Sequence, residues 1–367
     1  MAIKDYPFYL KSTIILFGLI LLMYVFAVLA DILVPLAFAA FLAILLNPLV
    51  NRFEKFKIPK VFAILLAILV LAIGVAAVFY FLSSQIIQFG DSLPMFKQKF
   101  AVMTADFKNW VQATFGLAKA KQDQMINDAM SNSQAMVSKT LGTVLGVFAI
   151  VFILPVYIFL LLLYKTLILN FFYEVFSEEN SKQVGEVLKE TKTAIQSYIV
   201  GLLIEMIIVA AMNSVALVAL GVKYGILIGC IGAILNLIPY LGGIIAIALP
   251  VLMATVTGDG DGYTTQLLVI GAYAVIQFID NNILVPRIVS SKVQINALIS
   301  IVIVLLGNAL WGISGMFLSI PFIAVLKIIF DHIPTLKPWG KLLGDTIPTK
   351  HKGQLWPKTR KEAVGVK

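Results

Sequence analysis

Two stretches of this chain, Gly225–Val256 and Ile295–Leu326, each run for 32 residues without a single charged side chain. A helix needs about 20 mostly apolar residues to cross the hydrocarbon core of a bilayer. Each run is therefore too long for one crossing and too short for two crossings with a loop. Each also breaks near its middle, at Pro239-Tyr240-Leu241-Gly242-Gly243 in the first and from Gly307-Asn308 through Gly312-Ile313-Ser314-Gly315 in the second. Apolar residues make up 60% of the 367 positions and charged ones 13%, with a mean hydropathy of +0.97. A soluble domain carries about 25% charged residues. Most of this surface must face lipid, and the expected fold class is an all-α polytopic membrane protein.

Six further apolar runs are long enough to be full spans: Ser12–Ala30, Ile32–Val50, Val61–Leu82, Leu141–Tyr164, Ile199–Leu220 and Thr264–Val285. Lys and Arg set the orientation, because they accumulate on the cytoplasmic side. The connection Asn51–Lys60 holds Arg52, Lys55, Lys57 and Lys60; the N-terminus holds Lys4 and Lys11; Val285–Asn296 holds Arg287 and Lys292; and Lys327–Lys367 holds nine more. The opposite connections carry Asp31, Lys223, Asp259 and Asp261. Both termini are expected in the cytoplasm. The net charge of +9 is then a topological bias plus a basic tail facing anionic lipid, and nucleic acid is not an expected partner. Six full spans already return the chain to its starting side. Each long run must enter and leave on one side, as a re-entrant hairpin or as two short tilted spans.

The two halves of this region mirror each other. Ile199–Val256 is a span followed by a broken run that opens outside, and Thr264–Leu326 repeats that order from the inside. The first span bears Glu205 and Asn213, the second Asp280, Asn281 and Asn282; Asn236 precedes Pro250 by 14 residues, and Asn308 precedes Pro321 by 13. Paired hydrophobic segments interrupted by Gly or Pro, in opposite topology, point to a transport site at the repeat interface. Irregular backbone at membrane depth persists only when buried in protein or lining a watery cavity. A blander explanation is that Gly and Pro merely permit kinks in membrane helices, but two matched breaks favour the site. Glu205 and Asp280 lie at similar shallow depth, Glu205 about 9 Å from the start of its span at 1.5 Å per residue. Carboxylates inside spans are costly and default to function, although Asp280 could also pair with Arg287. Gln277, Asn281 and Asn282 give Asp280 a polar surround.

The remaining motifs mostly exclude. One Cys (Cys230) and two His (His332, His351) supply neither a disulfide framework nor a metal ligand set. Gly258-Asp259-Gly260-Asp261 resembles an intramembrane protease motif but lies in a polar loop, and no enzyme is expected. No Walker sequence is present, so transport would draw on a proton or sodium gradient, without any other cofactor. The insertion Ser83–Thr140 contains a stripe from Pro94 to Phe115, with Phe96, Phe100, Met103, Phe107 and Val111 at helical spacing. That helix suits the membrane surface, a neighbouring subunit or the chain's own bundle. Ser177–Gln196 reads as a charged helix feeding the fifth span. The expected division is a scaffold over 1–164, a cytoplasmic charged helix over 165–198, a transport domain over 199–330 and a basic tail over 331–367.

Gln277-Phe278-Ile279-Asp280-Asn281-Asn282, continuing to Pro286-Arg287, resembles a signature of the autoinducer-2 exporter family of bacterial transporters. Asn236-Leu237-Ile238-Pro239-Tyr240-Leu241-Gly242-Gly243 and Trp311-Gly312 through Pro321 resemble two more. The resemblance covers nearly the whole chain. It implies a homo-oligomeric transporter of the bacterial inner membrane whose partners are lipid and a small polar solute. Some relatives export autoinducer-2 and others are assigned sodium(lithium)/proton antiport. The candidate solute- or ion-binding residues are Glu205, Asn213, Asn236, Pro239, Gly242, Gly243, Gln277, Asp280, Asn281, Asn282, Pro286, Arg287, Asn308, Gly312 and Gly315. Export of an autoinducer-2-like solute is the leading expectation. Sodium(lithium)/proton antiport and a non-transporting membrane scaffold are the alternatives.

Overall fold

In lipid no water is available to bond a free backbone amide, so a spanning chain must satisfy its amides within helices or closed barrels. The computed structural model describes residues 7–91, 93–118, 120–124, 152–176, 181–238, 242–257, 263–289 and 295–345, and helices are the regular elements among them. These are α1 (Phe8–Val28), α2 (Ala30–Lys55), α3 (Lys60–Asp91), α4 (Leu93–Phe115), α5 (Phe152–Leu163), α6 (Lys165–Val175), α7 (Ser181–Ala219), α8 (Gly225–Asn236), α9 (Gly242–Thr257), α10 (Thr264–Ile279), α11 (Ala297–His332) and α12 (Lys337–Leu343). α10 continues into a π-helical segment, Asp280–Val289.

Among the described residues six helices are long and apolar enough to cross a membrane: α1, α2, α3, α7, α10 with its π extension, and α11, the last only when the two arms of its break are taken together. Five of these match expected full spans. The fourth expected span, Leu141–Tyr164, is seen from Phe152 onward as α5, which meets α6 at a 60° bend; its start lies outside the described residues. The end of the Ser83–Thr140 insertion, Pro239, the Gly258–Asp261 motif and the tail beyond Asp345 lie outside them too. The stripe from Pro94 to Phe115 is α4. The charged helix and the fifth span form one 39-residue helix, α7. α1 buries none of its side chains and presents its apolar surface outward.

Close backbone contact folds both broken runs. In the first, a Cβ on Gly242 would lie 2.5 Å from Asn236 Cα, and one on Gly232 lies 3.6 Å from Ala246 Cβ. α8 and α9 are therefore antiparallel neighbours. α11 turns back at Trp311 (φ −133°, ψ 17°) and Gly312 (φ 60°, ψ −142°). The positive φ at Gly312 suits a residue without Cβ. Gly307 ends up against the Gly315 carbonyl and Ser319 Oγ, whereas a straight helix would hold residues 307 and 319 about 18 Å apart. The turn is anchored by Trp311, whose Nε1 donates to Phe26 O at 2.9 Å. At the open end, Asn296 Oδ1 accepts from Ile299 N at 2.9 Å, and its Nδ2 donates to Leu342 O at 2.6 Å. One residue thereby caps α11 and ties α12 to its base.

Among the described residues three buried clusters hold the helices together. Ala39, Ala43, Ala63 and Ala67 bring α2 and α3 close enough to enclose Ile64 and Ile158, the small-residue packing that replaces the hydrophobic effect between membrane helices. Phe41, Tyr198, Val289 and Leu318 join α2, α7, the π segment and α11. Leu217, Ile228, Met253, Val269 and Tyr273 join α7 through α10.

Candidate functional site

Glycine places the carboxylate-bearing elements. A Cβ on Gly201 of α7 would lie 2.7 Å from Ile288 O, so the π segment presses directly on α7. A Cβ on Gly229 would lie 2.8 Å from Ser214 Cα, which seats α8 on α7 in the same way. These contacts carry Glu205 of α7, Asn236 at the end of α8 and Asp280 at the start of the π segment to one point. Asn236 Nδ2 donates to Asp280 Oδ2 at 2.8 Å, and the Glu205 carboxyl lies within hydrogen-bonding reach of Asp280. Asp280 is 2% exposed and Glu205 6%.

Four oxygens around this pair are buried without a hydrogen-bond partner: Glu205 Oε2, Asp280 Oδ1, Asn213 Oδ1 and Tyr273 Oη. Unpaired buried polar atoms are costly, and each calls for an explanation. Asn213, Asn236, Tyr273 and Asp280 also line a void of about 10 Å³, close to the space one water occupies. Two carboxylates in contact repel unless a proton or a cation lies between them. A cluster that presents mainly oxygen suits a proton or a hard cation.

In front of the pair opens a cavity of about 990 Å³. Its polar wall consists of Tyr198, Glu205, Asn236, Gln277, Asp280, Asn281, Asn282 and Ser300, against an apolar wall that includes Leu202, Ile247, Val285 and Ile320. Gln277 stands at the α9 hairpin arm, where a Cβ on Gly243 would lie 2.9 Å from its Oε1, and its Nε2 donates to Asn281 Oδ1 at 3.4 Å. Asn282 Nδ2 donates to Phe278 O at 2.8 Å. π-Helical turns concentrate at functional sites, and Pro286 within this one lacks the amide an α-helix would use.

Of the residues expected from sequence, Glu205, Asn236, Gly243, Gln277, Asp280, Asn281 and Asn282 line the cavity, and Asn213 lies behind it. Gly242 shapes the α8–α9 turn. Arg287 is exposed and outside the cavity, so the partner of Asp280 is Asn236, not Arg287. Asn308 is exposed, and Gly312 and Gly315 belong to the α11 turn packed on α1; none of the three lines the cavity. α11 contributes Ser300 and Ile320 from nearer its base instead. Tyr198, Tyr273 and Ser300 escaped the sequence reading. Tyr273 lies four residues before Gln277, and Tyr198 seven before Glu205, both spacings that share a helix face.

Stacked apolar helices around a half-polar cavity with buried acids define a multi-pass membrane transport protein. A family model described as AI-2E family transporter matches residues 15–335, and the chain belongs to that family. It is 23% identical to the AI-2 transport protein TqsA of Escherichia coli (strain K12), over 92% of this chain and 96% of that protein. It is 24% identical to the candidate transport protein YueF of Bacillus subtilis (strain 168), over 82% of this chain and 84% of that one. A Haemophilus influenzae protein described as a candidate transport protein is 27% identical over 86% of this chain and 91% of its own length.

Proposed function

We propose that this chain is a secondary transporter that exports a small polar solute of the autoinducer-2 type across the bacterial inner membrane, driven by a proton or sodium gradient. The Glu205–Asp280–Asn236 cluster in the cavity wall carries this reading. Amides and carboxyls at Asn236, Gln277, Asp280, Asn281 and Asn282 offer donors and acceptors to hydroxyl groups, while the carboxyl pair holds the coupling ion. Binding a proton or cation there removes the repulsion between Glu205 and Asp280 and frees both side chains to rearrange around solute. Residues 1–164 form the scaffold, 199–330 the transport domain with its two hairpins as inverted, re-entrant units, and the protein works as a homo-oligomer with both termini in the cytoplasm. The cavity wall includes the early turns of the α7 span and the end of the π segment, which in this orientation makes the conformation inward-facing.

Three unpartnered oxygens, of Asn213, Tyr273 and Asp280, beside one water-sized void favour a second reading, sodium(lithium)/proton antiport, in which the ion is itself the cargo. One experiment separates these readings and a mere scaffold. Protein reconstituted in vesicles with an internal pH-sensitive dye is given sodium, lithium or autoinducer-2 across an imposed gradient. Asp280→Asn is expected to assemble normally and to lose gradient-driven flux while solute exchange without a gradient continues. Loss of all sodium and lithium response, with no solute effect in the parent, would select antiport. Equal flux in the variant and the parent would remove Asp280 from the mechanism.

A further inference from the structure

The corner where α5 turns into α6 encloses a second pocket, of about 360 Å³, apart from the transport cavity. Its walls are almost wholly apolar and come from Ala40 and Ala43 of α2, Leu161 of α5, Leu169 and Phe172 of α6 and Leu188 of α7. One end is different. There Lys165 Nζ donates to Asn47 Oδ1 at 2.9 Å, and Lys192 completes the rim. Asn47 is 5% exposed, an unusual burial for an amide unless it orients a neighbour. Lys192 and Lys60 repel Lys165, Glu54 attracts it, and burial strips part of its hydration. Lys60 Nζ in turn donates to Leu163 O at 2.8 Å, at the end of α5. Among the described residues, no carboxylate forms an ion pair with Lys60, Lys165 or Lys192.

Depth and surroundings match a membrane interface. Asn47 lies five residues before Arg52 in α2, about 8 Å along the axis. α6 leaves α5 at 60° and exposes Leu167, Phe171, Phe172 and Tyr173, an aromatic surface of the kind that settles at headgroup level. A greasy slot ending in two lysines is complementary to an anionic amphiphile. A free phosphate ion would gain nothing from the slot, and a neutral lipid nothing from the lysines. We propose that this corner binds one anionic phospholipid, with an acyl chain between α2, α5, α6 and α7 and the phosphate on Lys165 and Lys192. The lipid would touch both the α2–α5 bundle and the helix that carries Glu205, and the proposal stands whatever the transported solute proves to be.

Native mass spectrometry of the detergent-purified protein, incubated with phosphatidylglycerol or with phosphatidylethanolamine, tests this. Phosphatidylglycerol should be retained in preference. Lys165→Gln combined with Lys192→Gln should reduce that retention about thirtyfold, and Lys192→Gln alone about fivefold, as expected for lysine–phosphate contacts near a membrane surface. Lys192 is exposed, so its single variant reads binding without a folding defect. Ala40→Phe should block the slot with both charges intact, whereas Lys182→Gln with Lys189→Gln, on the same helix but outside the pocket, should leave retention unchanged. Millimolar inorganic phosphate should not displace the lipid. Equal retention of the two lipids, retention that survives both the lysine and Ala40 variants, or displacement by phosphate would each overturn the proposal.

Discussion

Replacing Asn236 with Ala removes the amide that holds Asp280 at 2.8 Å. Asp280 is 2% exposed and its other oxygen is already without a partner, so loss of the amide leaves its carboxylate poorly held. A hydrogen bond to a charged group contributes about 1.5–3 kcal/mol. At about 1.4 kcal/mol per factor of ten, the ion-ready arrangement should become about 10- to 150-fold rarer, and gradient-driven flux should fall by the same factor. Asn236→Gln keeps an amide one methylene too far out and should fall between the variant and the parent. Asn308→Ala makes the same deletion at the other helix break, on an exposed side chain outside the cavity, and should change flux less than twofold. Vesicles with an internal pH dye measure the flux, and melting in detergent separates a loss of transport from unfolding. Transport by Asn236→Ala within twofold of the parent, or equal impairment of Asn308→Ala at an unchanged melting point, would refute this role for the Asn236 amide.

Two other predictions bear on the hairpins and on the open side of the cavity. Gly307→Val drives a side chain into the Gly315 backbone and Ser319, an overpacking that costs about 1–3 kcal/mol. Its melting midpoint should drop, whereas Gly271→Ala, with nothing within 4 Å, should melt like the parent. In a Cys230→Ala background, single cysteines at Asn281 and Ser300 should react with polar thiol reagents only from the side on which a cysteine at Lys55 reacts. Labelling from the opposite side alone would reverse the assigned orientation of the cavity.

Much of this architecture is legible because lipid enforces so few solutions. Apolar length alone locates α1, α2, α3, α7 and α10, and the periodic stripe from Phe96 to Phe115 marks α4. The two 32-residue runs announce a fold-back because their length fits neither one crossing nor two. What the sequence conceals is the depth at which each break acts. Both breaks carry an Asn and nearby glycines, so symmetry suggests that Asn236 and Asn308 share a role. Packing separates them: Gly229 and Gly201 draw α8 and the π segment onto α7 and bring Asn236 to Asp280, whereas Trp311 ties the α11 turn to Phe26 of α1. The π-helical winding after Asp280 is equally hidden. The Ile288 carbonyl of that segment lies against a glycine 87 positions earlier in the chain, a contact that no local propensity records.

The same contacts bear on where an alternating movement can occur. α7, α8 and the π segment meet backbone to backbone, at Gly201 with Ile288, Gly229 with Ser214 and Gly225 with Leu217. Such contacts leave no side chain to yield, so these elements, and the two carboxyls they carry, must move together. The boundary between α2 and α11 is built differently. Phe38 stacks on Phe317 with ring centroids 5.7 Å apart, and Phe41 meets Phe322 at 6.0 Å. Aromatic pairs accept both offset-stacked and edge-to-face arrangements, so these rings can repack where interlocked backbones cannot. The contrast favours movement at the boundary of α2 and α11 over movement among α7, α8 and the π segment. In the proposed cycle a solute would then be exchanged between the two sides of the membrane by repacking rings along α2, while the helices that carry Glu205 and Asp280 travel together and change the access of the pair to water.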